Sequence, residues 1–217
     1  MKLNEAKRKL DNLINRPFGE LFSDEDMNSI IINKGKSGQL LELALGLHLS
    51  NTNLDFDDGE LKTNKCDIFG KPRETIFITQ IGSIIDELIE RKTFEETHLY
   101  SKIKNMLYVP VCKDGSPCNW KFLPNIHINL CLQKYRELFS LLKNDYYCIC
   151  ERLKKHIENS PDGFIHTSSG NLIQIRSKDS KPYHPIFSQV YNRKISNKNH
   201  AFYFKKEFVY YIKSLNN

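Results

Sequence analysis

Two carboxylates and a lysine stand close together in the first third of this 217-residue chain: Asp55, then Glu60-Leu61-Lys62. These residue types suit phosphodiester hydrolysis. That reaction needs an activated water and a stabilised leaving oxygen. A hard divalent cation on oxygen ligands supplies both, and a neighbouring ammonium group orients the water or offsets charge on the phosphate. On a strand, Glu60 and Lys62 share one face and Leu61 points the other way, into a core. Asp55 is brought alongside by the Asp57-Asp58-Gly59 turn, and Glu42 is a further carboxylate for the same place. Asp57 and Asp58 are possible ligands too, although a solvated turn explains them better. By itself the motif is not specific, because an acidic turn before a Glu-x-Lys strand also arises as solvated hairpin charge.

The elements that must position these residues can be read from periodicity and turn chemistry. Leu3, Ala6, Leu10, Leu13 and Ile14 predict an amphipathic helix over 3–15. Ser23-Asp24-Glu25-Asp26 predicts a helix start with Ser23 as N-cap. Lys34–Gly38 reads as a glycine-bearing turn, and 39–49 as an apolar helix carrying Glu42. Strands are predicted at 60–63, 75–81, 105–112 and 201–204, with a hairpin formed by 164–166 and 171–176. Short helices are expected at 84–92 and 97–104, a long one over 127–158 with a break near Asp145, and a last one at 207–215. The stretch 177–199 is polar, basic and turn-rich. A few strands among helices make an α/β or α+β domain.

Composition narrows the class. Lys and Arg outnumber Asp and Glu by 32 to 26, a net charge of +6 that permits a nucleic-acid partner without requiring one. No apolar run is long enough to span a bilayer, and the N-terminus lacks a signal-peptide core. No membrane partner is therefore expected, and the protein is expected in the cytoplasm. The six cysteines form no CxxC pair and read as reduced thiols rather than zinc ligands.

Several blocks, in order, resemble the MutH family of DNA endonucleases, which comprises the mismatch-repair nicking enzyme and related GATC-cutting type II restriction endonucleases. The blocks are Phe18–Leu21, Lys34–Gly46, Asp55-Phe56, Gly59–Thr63, Gly70–Phe77, Glu96–His98, Lys102–Lys104, Leu107–Val111, Asn171–Lys178 and Phe202–Phe208. The resemblance implies that Asp55 and Glu60 bind Mg2+, for which Mn2+ substitutes, that Glu42 assists at the metal site, and that Lys62 and Lys102 are active-site lysines. It implies that Arg176 and Lys178 reach base edges in the major groove, as Arg or Lys can by donating to guanine. Tyr203 is implied to sense adenine methylation. Lys36, Arg193 and Lys205 are expected to contact DNA, with 176–206 as a basic, phosphate-contacting arm. Without the family, Lys102, Arg176 and Lys178 read as solvated basic residues and Tyr203 as a strand aromatic.

The fold implied is a restriction-endonuclease-like core: a mixed central sheet of about five strands flanked by helices, in two lobes around a DNA cleft. The catalytic lobe is expected over about 1–115 and the DNA-reading lobe over about 116–217. The family pattern also fails in two places: fewer residues separate Asp55 from Glu60 than is usual, and Ser177 stands where proline is usual. These departures favour a type II restriction enzyme cutting double-stranded DNA at GATC or a related site, with a cognate methyltransferase and either dimerisation on DNA or two sequential nicks. The alternatives are a repair endonuclease that nicks hemimethylated GATC with MutL, and a non-catalytic DNA-binding module.

Overall fold

The computed structural model describes residues 1–32, 36–47, 54–178 and 181–216, with the side chains of 29–32 and 36 outside that description. In chain order the elements are α1 (Leu3–Leu10), α2 (Phe18–Leu21), α3 (Asp24–Ile32), α4 (Lys36–Ala44), β1 (Glu60–Cys66), β2 (Ile76–Gln80), α5 (Ile85–Ile89), α6 (His98–Ile103), β3 (Asn105–Cys112), β4 (Lys121–Phe122), β5 (Ile126–Asn129), α7 (Arg136–Asn159), β6 (Ser168–Ser169), β7 (Ile173–Lys178), β8 (Ile186–Ser188), β9 (Arg193–Ser196), β10 (Asn199–Phe204) and α8 (Lys206–Ser214). The protein is thus of mixed α/β type. It divides into two compact units: Met1–Thr75 with Lys104–Asn129 and Ile212–Asn217, and Ile76–Ile103 with Leu130–Tyr211.

In the first unit β3 is the organising strand. It pairs in parallel with β1, Glu60 opposite Met106 through Cys66 opposite Cys112, and antiparallel with β5 and β4. Met106 through Cys112 are all buried, as expected for a strand covered on both faces. Pro110 is tolerated because it stands where the antiparallel partner changes, between Tyr108 opposite Ile126 and Val111 opposite Phe122, so its missing N–H interrupts no ladder there. Leu3, Ala6 and Leu10 of α1, Leu40 and Leu41 of α4, and Leu61 of β1 share one core with Leu107, Val109 and Phe122. The outer edge of β1 is covered by the chain that follows it. Lys65 N–H donates to the Glu74 carboxylate at 2.8 Å, Asn64 donates to the Glu74 carbonyl at 3.3 Å, and Arg73 N–H donates to the Lys65 carbonyl at 2.8 Å.

The second unit is built on an antiparallel sheet in the order β2-β10-β7-β6, with β8 and β9 forming a separate two-stranded sheet. Helix α7 lines its core with Leu138, Leu142, Tyr146, Ile149, Cys150 and Leu153. Ile173 and Ile175 of β7 and Phe202 and Phe204 of β10 are buried too.

The structure corrects several expectations. Instead of one central sheet of about five strands, the described residues form two four-stranded sheets and one two-stranded sheet. The chain after β1 crosses its edge and departs, so β2 pairs with β10, more than a hundred residues on. The predicted 127–158 helix is strand β5 and then an unbroken α7. Asp145 interrupts nothing because its carboxylate is satisfied by backbone N–H groups of 171–173 rather than by its own helix. The β8–β9 pair lies inside the stretch read as turns. Helix α1 stops at Leu10, short of residue 15. Ser23 does cap α3, its hydroxyl accepting from Asp26 N–H at 3.2 Å while Ser23 N–H reaches the Asp26 carboxylate. Of the predicted Lys34–Gly38 turn, Lys34 and Gly35 lie outside the described residues, and Lys36 and Gly38 are already in α4. None of the six cysteines is in a disulfide, and among the described residues no helix is long and apolar enough to cross a membrane.

Candidate active site

A tight turn aims the first carboxylate at the strand. Phe56 N–H donates to the Gly59 carbonyl at 2.9 Å, closing Asp57-Asp58 into a two-residue reversal. Gly59 is required for packing: a Cβ there would sit 2.7 Å from the Asn105 carbonyl oxygen. Asp58 is engaged in anchoring, its carboxylate capping Leu3 N–H at 2.8 Å and its carbonyl accepting from the Asn105 side chain at 2.6 Å. The reversal returns Asp55 to the start of β1, where its carboxylate accepts from Leu61 N–H at 2.8 Å.

Leu61 is buried in the core, which turns Glu60 and Lys62 to the opposite face of β1. Glu60 is 2% exposed. The Lys62 ammonium donates to its Oε2 at 2.7 Å, with the lysine side chain 11% exposed. Asp55 lies within hydrogen-bonding reach of Glu60. Burial first, then the Glu60 charge, pushes Asp55 up to about 6, against the opposing pull of Leu61 N–H and Lys62. Glu42 on α4, half-buried, belongs to the same electrostatic neighbourhood. Burial, then the Asp55 charge, raises it to about 6, with Lys62 opposing and Glu60 adding. Asp55, Glu60 and Lys62 therefore meet at the start of β1, and Glu42 is near enough for their charges to shift its proton affinity.

This donor set fits a magnesium ion. Two carboxylates within hydrogen-bonding reach of each other are a cradle for positive charge, and the raised proton affinity of Asp55 reflects the same need for a cation. Among the described residues no three His, Cys, Asp or Glu groups form a ready-made metal cage. Mg2+ does not ask for one, since it usually keeps several waters and binds one or two carboxylates together with substrate phosphate.

The second unit presents a different surface. On β7, Gln174, Arg176 and Lys178 share the face opposite Ile173 and Ile175. The Arg176 guanidinium lies over the Tyr203 ring at 4.3 Å and the Lys178 ammonium over the Phe77 ring at 5.1 Å. The two rings meet edge to face at 5.8 Å, on cross-strand partners of β10 and β2. Phe77, 41% exposed, was not singled out from the sequence. The signal was its phase: it alternates out of step with buried Ile76 and Ile78, placing an aromatic on the polar face.

The remaining candidates are dispersed. Lys102 is half-buried on α6, where its charge adds to burial in lowering the His98 pKa. The Arg193 guanidinium donates to the carbonyls of Ile157 at 3.0 Å and Gly163 at 2.9 Å, at the end of α7. Lys205 donates to the Gly170 carbonyl at 3.1 Å. The side chain of Lys36 lies outside the described residues.

No family model matches the chain. Over 193 residues it is 26% identical to the DNA mismatch repair protein MutH of Buchnera aphidicola subsp. Baizongia pistaciae, an alignment covering 87% of this chain and 84% of that protein. Over 159 residues it is 31% identical to the DNA mismatch repair protein MutH of Shewanella woodyi, covering 67% of this chain and 61% of that protein.

Proposed function

Because the chain belongs to the MutH family, we propose that it is a magnesium-dependent DNA endonuclease of mismatch repair, nicking DNA at GATC sites together with MutL. The observation that carries the hydrolytic part is the contact between the Asp55 and Glu60 carboxylates beside the Lys62 ammonium. The repair role is favoured over the restriction role because both curated relatives are named as mismatch repair proteins.

Asp55 and Glu60 would hold the metal. When bound, it supplies Lewis-acid charge at the phosphate and a water of lowered pKa. Lys62, fixed on the same face of β1, offers its ammonium to the non-bridging oxygens and offsets the charge that builds there. Glu42, with its raised proton affinity, accepts or holds a proton at its carboxylate near neutral pH. Leu61 N–H orients Asp55, so the ligand does not need to be organised at the moment of reaction. Lys102 is a second active-site lysine. In the second unit Arg176 and Lys178 donate to base edges, and the Tyr203 ring, with Phe77 against it, responds to a methyl group on adenine. Lys36, Arg193 and Lys205 act on phosphates.

Supercoiled plasmids with and without GATC, incubated with Mg2+ and with or without MutL, test this reading. Expected is nicking confined to GATC plasmids and accelerated by MutL. Lys62→Ala should lower the rate by about a hundredfold or more, the scale of losing one charge-stabilising donor. Rapid unaided linearisation would favour the restriction reading. DNA binding without any cleavage in Mg2+ or Mn2+ would favour a non-catalytic module.

A further inference from the structure

Helix α7 carries one carboxylate, Asp145, among Leu138, Leu142, Tyr146 and Ile149, and it is 2% exposed. A charge in such a place is tolerated only when fully hydrogen-bonded. Its partners are three consecutive backbone groups of the second unit. Asn171 N–H donates at 2.7 Å, Leu172 N–H at 2.6 Å and Ile173 N–H at 3.1 Å. Consecutive N–H groups turned to one anion make a backbone nest. Gly170 belongs to the same device, since a Cβ there would overlap the Asp145 carboxyl group. Two cations tie down the neighbouring carbonyls: Arg152 of α7 donates to Ser169, and Lys205 to Gly170.

The tethered segment is the entry to β7. From Ile173 the strand runs against β10, Ile173 opposite Phe204, Gln174 opposite Tyr203, Arg176 opposite Ala201 and Lys178 opposite Asn199. Side chains alternate along a strand, so a slip of one residue would turn Arg176 and Lys178 toward the core and Ile175 outward. Asp145 fixes the residue at which the strand begins. We propose that Asp145 is a positioning residue for sequence recognition: it holds β7 in the one register that keeps Arg176 beside Tyr203 and both cations on the open face. The inference rests on the reading of Arg176 and Lys178 as base-contacting residues, and it involves no group of the hydrolytic cluster.

Binding separates the two ideas without reference to cleavage. The dissociation constants of a GATC duplex and a scrambled duplex are measured by fluorescence anisotropy for the wild type, Asp145→Asn and Arg176→Ala, with thermal melting of each protein. Asn keeps the shape but presents an amide to N–H groups that need an acceptor. The expected result is a loss of about tenfold in the preference for GATC in Asp145→Asn, the scale of one misplaced base contact. Affinity for the scrambled duplex should stay within about twofold, because phosphate contacts carry no sequence information. A folded Asp145→Asn with full GATC preference, alongside an Arg176→Ala that loses it, overturns the positioning role alone. Full preference in Arg176→Ala overturns the base-reading assignment and the inference with it. If Asp145→Asn melts below the assay temperature, Gly170→Ala, which pushes a methyl group into the same carboxylate, is read by the same ratio.

Discussion

Asp55 and Glu42 show how a side chain's environment sets its chemistry. Each is held to a proton affinity near 6 by burial and by like charge. For Asp55 the folded state binds the proton more tightly than the unfolded chain does. Its contribution to stability is therefore present at low pH and is lost as pH rises from about 4 toward 6. At pH 7.5 without metal the ionised cluster is under strain. Asp55→Asn should raise the melting temperature there by about 2–4 °C, the scale of about 1 kcal/mol for a chain of this size. It should change little at pH 4.5, where the wild-type carboxyl is already protonated. Scanning calorimetry at the two pH values checks the sign. Cleavage should fall on acidification through about 6, because metal binding must displace those protons. The spacing of Glu60 and Lys62 made their common face legible from the sequence. The depth of Glu60, the approach of Glu42 and the placement of Phe77 were not, since they depend on which surfaces pack together.

Elements rich in their own signals were read well. The apolar run at 105–112 became β3 with the same bounds, and the alternation after residue 75 became β2. Asp145 misled because local propensity registers a helix-weakening aspartate and cannot see three N–H donors from a turn 26 to 28 residues away. The hairpin at the candidate active site turns on Gly59, where an added Cβ would meet the Asn105 carbonyl of β3. Gly59→Ala meets backbone, which cannot rotate aside. The turn must move, and Asp55 with it. Expected are a loss of stability of about 1–3 kcal/mol and a fall in cleavage larger than that instability explains. Denaturant titration beside single-turnover cleavage separates the two. If the variant cuts at the wild-type rate, the turn does not set the position of Asp55.

At the scale of the molecule, the partition into two units was the least legible property. Each unit gathers segments far apart in the chain, β1 with β3 in one and β2 with β10 in the other, and no local window contains both members of either pair. The net charge of +6 was readable at once and bears directly on the proposed binding to DNA. If five or so lysines and arginines meet phosphates, affinity should drop by about five-hundredfold between 50 and 200 mM salt, through counterion release. A flat salt dependence would remove the phosphate-contacting role from the basic segment 176–206. Solubility has its own guard. An exposed strand edge is a template on which another chain can zip, and β1 would offer one directly beside its acidic cluster. The Glu74 carboxylate helps to close that edge by occupying the Lys65 N–H, beside the Arg73 N–H that takes the Lys65 carbonyl. Glu74→Ala should therefore leave the monomer folded but self-adhesive, its light scattering rising with concentration while the wild type stays dispersed. One carboxylate, distant in role from any chemistry, then shares with the backbone of Arg73 the task of keeping a second chain off that strand.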